Sequence, residues 1–139
     1  MDSSDKDAGY LEVPHGADYA LKAWAPNFSQ LIIEAARGMY MLMGLTIQAG
    51  SHCRRTYKLK YQNPEDNLVS FLSELVFLAD KENLYFSSFH VASEASENRL
   101  IMDGGNIIHR QKVIKAVTYH NLSIHNTAAG LETTIVFDV

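Results

Sequence analysis

Residues 19–44 read YALKAWAPNFSQLIIEAARGMYMLMG, and this stretch sets the type of fold. Its first seven residues alternate, with Tyr19, Leu21 and Ala23 on one side and Ala20, Lys22 and Trp24 on the other. That period of two predicts a strand, which Pro26 ends. Asn27 is a helix cap, with Gln30 three residues on in capping-box position. Phe28, Leu31, Ile32, Ala35, Ala36, Met39 and Met43 then recur at helical spacing, and Gly44 terminates the run. The methionines read as core filler.

Working outward, residues 51–61 read as a strand with Tyr57, Leu59 and Tyr61 on one face. Asn63 and Pro64 open a second helix as cap and first helical residue, with an apolar stripe of Leu68, Phe71, Leu72, Leu75, Val76 and Ala79. Residues 80–83 read as a turn. Leu84 and Phe86 alternate, the phase slips at Ser87-Ser88, and Phe89 and Val91 resume it, which predicts a β-bulge. Residues 100–102 form a short strand candidate before Gly104-Gly105. Residues 113–119 and 131–139, rich in Val, Ile and Thr, are the clearest strands. Strands bunched after two helices predict an α+β fold: a single two-layer domain, an antiparallel or mixed sheet with two helices packed on one face. Residues 1–9 read as a disordered acidic tail and residues 10–139 as the folded domain.

Composition narrows the function classes. A chain of 139 residues has room for one core and not two. The single cysteine, Cys53, excludes an internal disulfide framework and a Cys-rich zinc site. No apolar run approaches the roughly 20 residues of a membrane span, and the acidic start has no signal-peptide pattern, so a cytoplasmic location is expected. Net charge is −4, whereas a protein that grips nucleic acid by itself carries a basic surface. The one basic cluster, Arg54, Arg55, Lys58 and Lys60, reads as a solvated strand face. RNA, if involved, is held by a partner, and no strong direct nucleic-acid binding is expected.

Phosphate-binding, dinucleotide-binding, HExxH and GxSxG motifs are all missing. The six histidines show no close HxH or HxxxH pairing; His120 and His125 form a pair without a third ligand. Three placements carry chemistry. Asp18 lies in His15-Gly16-Ala17-Asp18, just before a strand. Asp138 sits in the apolar run Ile135-Val136-Phe137-Asp138-Val139, where a buried carboxylate is costly unless paired or cation-bound, and Val139 adds its own carboxylate. Lys115 shares a strand face with Val113, Val117 and Tyr119. Plainer roles stand beside these: a turn hydrogen bond for Asp18, an outward edge-strand residue for Asp138, and an aggregation gatekeeper for Lys115. A small metal-dependent hydrolase using the same carboxylates is the reading from another class, with His15 or His120 as its only nearby bases.

Four blocks, taken in order, resemble the archease family. His15-Gly16-Ala17-Asp18 followed by Leu21-Lys22-Ala23-Trp24 resembles that family's opening, a His-Thr-Ala-Asp turn leading into a strand ending in Ala-Trp. Phe71-Leu72-Ser73-Glu74-Leu75 resembles its Trp-Leu-Asn-Glu-Leu helix. Lys115-Ala116-Val117-Thr118-Tyr119-His120 matches its KAVTYH strand, and Phe137-Asp138-Val139 its ending. The departures are Gly16 for the usual Thr, which removes a hydroxyl beside Asp18, and Phe71 for the usual Trp. The resemblance implies an α+β fold and a divalent-cation site built by Asp18, Asp138 and Val139. Calcium is the expected ion, with manganese or magnesium in a partner complex. It further implies a non-enzymatic accessory factor for an RtcB-type RNA ligase, in tRNA splicing or RNA repair. Asp18, Lys115 and Asp138 would act in trans on guanylylation of the ligase, with His15 and His120 in support. A chaperone of a tRNA methyltransferase is the second partner reading.

Overall fold

The structure is a computed structural model and describes residues 7–16, 18–60, 62–94 and 97–139. The chain runs β1 (Gly9–His15), β2 (Asp18–Ala25), α1 (Phe28–Met43), β3 (Leu45–Ile47), β4 (Cys53–Leu59) and α2 (Pro64–Glu82). It continues through β5 (Leu84–Glu94), β6 (Glu97–Arg110), β7 (Ala116–Val117), β8 (His125–Thr127) and β9 (Gly130–Asp138). The fold is α+β, as expected. The described strands divide between two sheets, each with antiparallel pairing throughout.

Local chemistry explains the helices. Asn27, extended at φ −144°, accepts the Gln30 N–H at 3.0 Å, and Gly44 ends α1 in the left-handed region at φ 60°. Asn63 accepts the Asp66 N–H at 3.1 Å, Pro64 fills the first turn, and Glu65 and Asp66 put negative charge at the helix N-terminus. The second helix runs through the residues read as a turn; Asn83 at φ 55° is what stops it. Leu31, Ile32, Met39 and Met43 of α1 meet Leu68, Phe71, Leu72 and Leu75 of α2 in one core, all with essentially no exposure. Each such side chain contributes roughly 1.5–3 kcal/mol. Phe71 is fully buried with Tyr57 and Phe89 at ring distances of 5.4 and 6.1 Å, so it does the packing expected of an aromatic at that position.

One sheet has the order β1-β2-β9-β7, with β8 also on β9. Its inner face, including Leu21, Ala23, Ile135 and Phe137, closes on α1. The other sheet is built around β6. Leu100 of β6 pairs with Tyr57 of β4 and with Val91 of β5, so those strands take opposite edges, and β3 pairs with its last residues.

The expected bulge is present: the β5–β6 register shifts between Phe86 and Ser88. The short strand expected at 100–102 is a fourteen-residue strand that runs through Gly104-Gly105. There the glycines permit close approach instead of breaking the strand. A Cβ on Gly104 would overlap the Tyr85 carbonyl oxygen and lie 2.7 Å from the Phe86 Cα, and one on Gly105 would lie 2.9 Å from the Ser51 carbonyl oxygen. Residues 113–119 correct the other way: only Ala116–Val117 is strand. Among residues read as tail, 1–6 lie outside the described residues, and Gly9 is the first residue of β1.

Candidate functional site

The pairing of β2 with β9 decides where the candidate carboxylates go. Tyr19 is opposite Phe137 and Ala20 opposite Val136, so one further step along the ladder puts Asp18 opposite Asp138. Cross-strand neighbours have Cβ atoms about 4.5–5.5 Å apart. Asp138 is in turn opposite Ala116 of β7, and the Lys115 N–H donates to the Asp138 carbonyl at 2.8 Å. Three residues far apart in sequence, Asp18, Lys115 and Asp138, therefore share one corner of the five-stranded sheet, with Val139 beside them.

Both helix ends hold the Lys115 segment in place. At the C-terminus of α1 the Met43 carbonyl accepts the Gln111 and Lys112 N–H groups at 3.0 and 3.1 Å. At the N-terminus of α2, Asp66 accepts the Tyr119 hydroxyl and Glu65 the Ile124 N–H, both at 2.8 Å. Between these anchors Ile114 is fully buried and Thr118 donates from its hydroxyl to the Val136 carbonyl at 2.9 Å.

Two arguments made from sequence need correction here. Asp138 is exposed at the strand end, so no burial cost singles it out. The face shared by Val113, Lys115, Val117 and Tyr119 does not exist as one: Val113 and Tyr119 are half-exposed, Val117 is buried and Lys115 is exposed. The β1–β2 turn gives a finding that sequence reasoning missed. Gly16 has φ 57°, a left-handed conformation in which a β-branched Thr would be strained, so this turn is built for glycine. His15 is opposite Asp18 in the β1–β2 register, and the side chain of His15 lies outside the described residues. His120 is exposed, its ring beside the Asn121 amide at 3.3 Å, and His125 lies 3.7 Å from Glu132.

The chemistry of the donors suits a hard cation. Two carboxylates and the main-chain oxygens of Val139 offer oxygen only, and like charges directly opposite on neighbouring strands repel unless something positive lies between them. Among the described residues no three His, Cys, Asp or Glu side chains gather as a metal site, so any cation here would rest on two carboxylates, main-chain oxygens and water. The basic cluster of β4 is spoken for. Arg54 grips Asp103 through Nε and a terminal nitrogen at 2.8 and 3.1 Å, and Arg55 reaches Glu82 at 3.0 Å. The Arg54 hydrogen bond holds the Asp103 carboxyl below the usual carboxylate range. Burial pushes the Cys53 thiol up, which disfavours the reactive thiolate.

The fold and this corner define a small α+β domain that presents carboxylates and an ammonium at one sheet end. The chain belongs to the archease family: the model of the Archease protein family matches residues 10–139. Protein archease of Methanosarcina barkeri is 28% identical, covering all of both chains, and that of Sulfurisphaera tokodaii is 27% identical over 90% of this chain and 94% of its own. The solution structure of Methanobacterium thermoautotrophicum protein 1598 superposes with a TM-score of 0.71 at 22% identity, covering 94% of this chain and 99% of that one. A Thermotoga maritima crystal structure, described as an archease and "possible chaperone", gives 0.68 at 20% identity, covering 93% and 94%. Among the described residues no helix is long and apolar enough to cross a membrane.

Proposed function

We propose that this protein is a cytoplasmic accessory factor, without catalysis of its own, that promotes guanylylation and multiple turnover of an RtcB-type RNA ligase in tRNA splicing or RNA repair. The observation that supports the reading is the β2–β9–β7 register, which brings the backbones of Asp18, Asp138 and Lys115 to one end of the sheet. Asp18, Asp138 and the main-chain oxygens of Val139 hold a divalent cation, calcium in the isolated protein. Such a cation, when bound, supplies charge neutralisation for phosphate oxygens.

The chain's own residues do the rest. The carboxylates orient the corner, and Lys115, which cannot ligate a cation, brings its ammonium to phosphate oxygens of the partner's nucleotide. Transfer of a nucleotidyl group depends on alignment and charge neutralisation, so a charge inserted from a second protein accelerates it as an arginine finger does.

The test is guanylylation and multiple-turnover ligation by a cognate ligase with and without this protein. Guanylylated ligase should accumulate faster in its presence, and the protein alone should consume neither GTP nor RNA. Turnover of either by the protein alone, or no effect on the ligase, overturns the reading. The second reading, a chaperone of a tRNA methyltransferase, is favoured by the description of the Thermotoga neighbour and by exposed Leu11, Phe77 and Ile108 on three different elements. Protection of the methyltransferase from aggregation, without effect on the ligase, would select it.

A further inference from the structure

Each sheet ends in a strand with an open edge, and the two open strands line one groove over α1. Among the described residues β1 pairs only with β2, and β5 only with β6. The wider part of the groove is a cavity of about 480 Å³ bounded by Tyr10 of β1, Tyr40 and Met41 of α1, Leu45 of β3 and Tyr85 of β5. A smaller hollow continues it past Arg37, between Ala8, Ile33 and Phe89. Met41 is 44% exposed there. The only charged side chains lining the two parts are Glu34 and Arg37, which neutralise one another at 2.7 Å. The Tyr40 hydroxyl is buried without a hydrogen-bond partner among the described residues, and the Phe86 backbone of β5 lies near it, outside bonding geometry.

We propose that this groove docks an extended, uncharged segment of a partner protein, which adds a strand along the open edge of β5. The inference does not rest on the ligase reading, and none of Asp18, Lys115 and Asp138 lines the groove. An edge strand leaves alternate N–H and C=O groups without a partner, and another extended backbone satisfies them in sequence. The length agrees. The face of α1 from Gln30 to Gly44 is roughly 21 Å long, which about six extended residues match. Side chains that such a segment turns toward α1 meet Ile33, Tyr40 and Met41, so apolar ones belong there.

Charge selects the same occupant. Lining residues whose charges cancel match an uncharged segment. RNA needs a track of cations, and here it would meet a single arginine already paired, in a chain of net charge −4.

The probe is the fluorescein-labelled peptide Ser-Gly-Val-Thr-Val-Thr-Val-Thr-Gly-Ser, titrated with the full chain and read by fluorescence anisotropy. Two further peptides carry the same side chains with one or the other alternate set of backbone amides N-methylated. The plain peptide should bind saturably. Methylating the set that faces the edge should cost at least tenfold in affinity, and methylating the other set less than threefold. Bound peptide should slow amide hydrogen exchange within residues 84–90. Met41→Lys should lose at least fivefold in affinity. Tyr40→Phe should lose about threefold without lowering the melting temperature, because the hydroxyl it removes has no partner within the fold. Phe77→Ser, which removes an exposed aromatic from α2, should bind as the unmodified protein does. Absent saturable binding, equal binding of all three peptides, full affinity in Met41→Lys or exchange protection confined to other strands overturns the proposal. So does displacement of the peptide by a twelve-nucleotide RNA, or self-association of the protein that closes the groove in sedimentation. Each of these outcomes leaves the ligase reading untouched.

Discussion

Replacing Asp138 by Asn should change stability in opposite directions with and without calcium. Asp138 stands opposite Asp18 at the exposed sheet end. Two carboxylates roughly 6 Å apart in a water-like dielectric repel by about 0.7 kcal/mol, which physiological salt cuts to roughly 0.3 kcal/mol. Without metal, the amide removes that repulsion and should raise the melting temperature by about 1 °C. Calcium at a hundred times its dissociation constant stabilises a protein that binds it only when folded by about 2.7 kcal/mol. For a chain of this size that is roughly 10 °C. The unmodified protein should gain this stabilisation and Asp138→Asn should lose nearly all of it, so the variant melts higher in chelator and lower in calcium. The assay is thermal denaturation by circular dichroism in chelator and across a calcium series. If Asp138→Asn is destabilised equally in both, or calcium leaves the unmodified protein unmoved, the two carboxylates do not share a cation.

Gly104→Ala should destabilise the domain by about 3 kcal/mol, read from urea unfolding midpoints, because the new methyl meets the Tyr85 and Phe86 backbone instead of a side chain that can yield. A loss under 1 kcal/mol would mean the two strands are not held that close. Asp103 has a lowered folded pKa, so its pairing with Arg54 contributes stability that is present above the unfolded value of about 3.9 and is lost as pH falls through the folded value. Asp103→Asn should therefore flatten the acid limb of the stability curve, and an unchanged limb would assign it to other carboxylates.

The parts of the fold that could be read from sequence were those fixed by neighbours along the chain. Asn27 with Gln30, Pro64 after Asn63 and the slip at Ser87-Ser88 each act within a few residues, and each is where it was expected. Glycines were harder. Gly104-Gly105 looks like punctuation, but it marks where β6 passes against neighbouring backbone, a constraint set by residues 18 or more positions away. The short strands β3, β7 and β8 exist only through their partners, so two or three residues of alternation could not announce them. At the site, composition and spacing nominated Asp18, Asp138 and Lys115 without bringing them together. The likeness to archeases suggested the grouping, and the β2–β9–β7 register supplies its geometry.

The central claim, that this corner acts in trans on a ligase, is tested most directly by Lys115→Ala. Multiple-turnover ligation should be compared with a single turnover started from ligase already carrying GMP. Lys115 is exposed and its structural bond is made by its backbone N–H, so the variant should keep its fold and its calcium affinity. Stimulation of multiple turnover should fall by about tenfold or more, the scale of a ~1.4 kcal/mol loss of transition-state stabilisation. The pre-guanylylated single turnover should not change. Full stimulation of multiple turnover by Lys115→Ala would contradict the account.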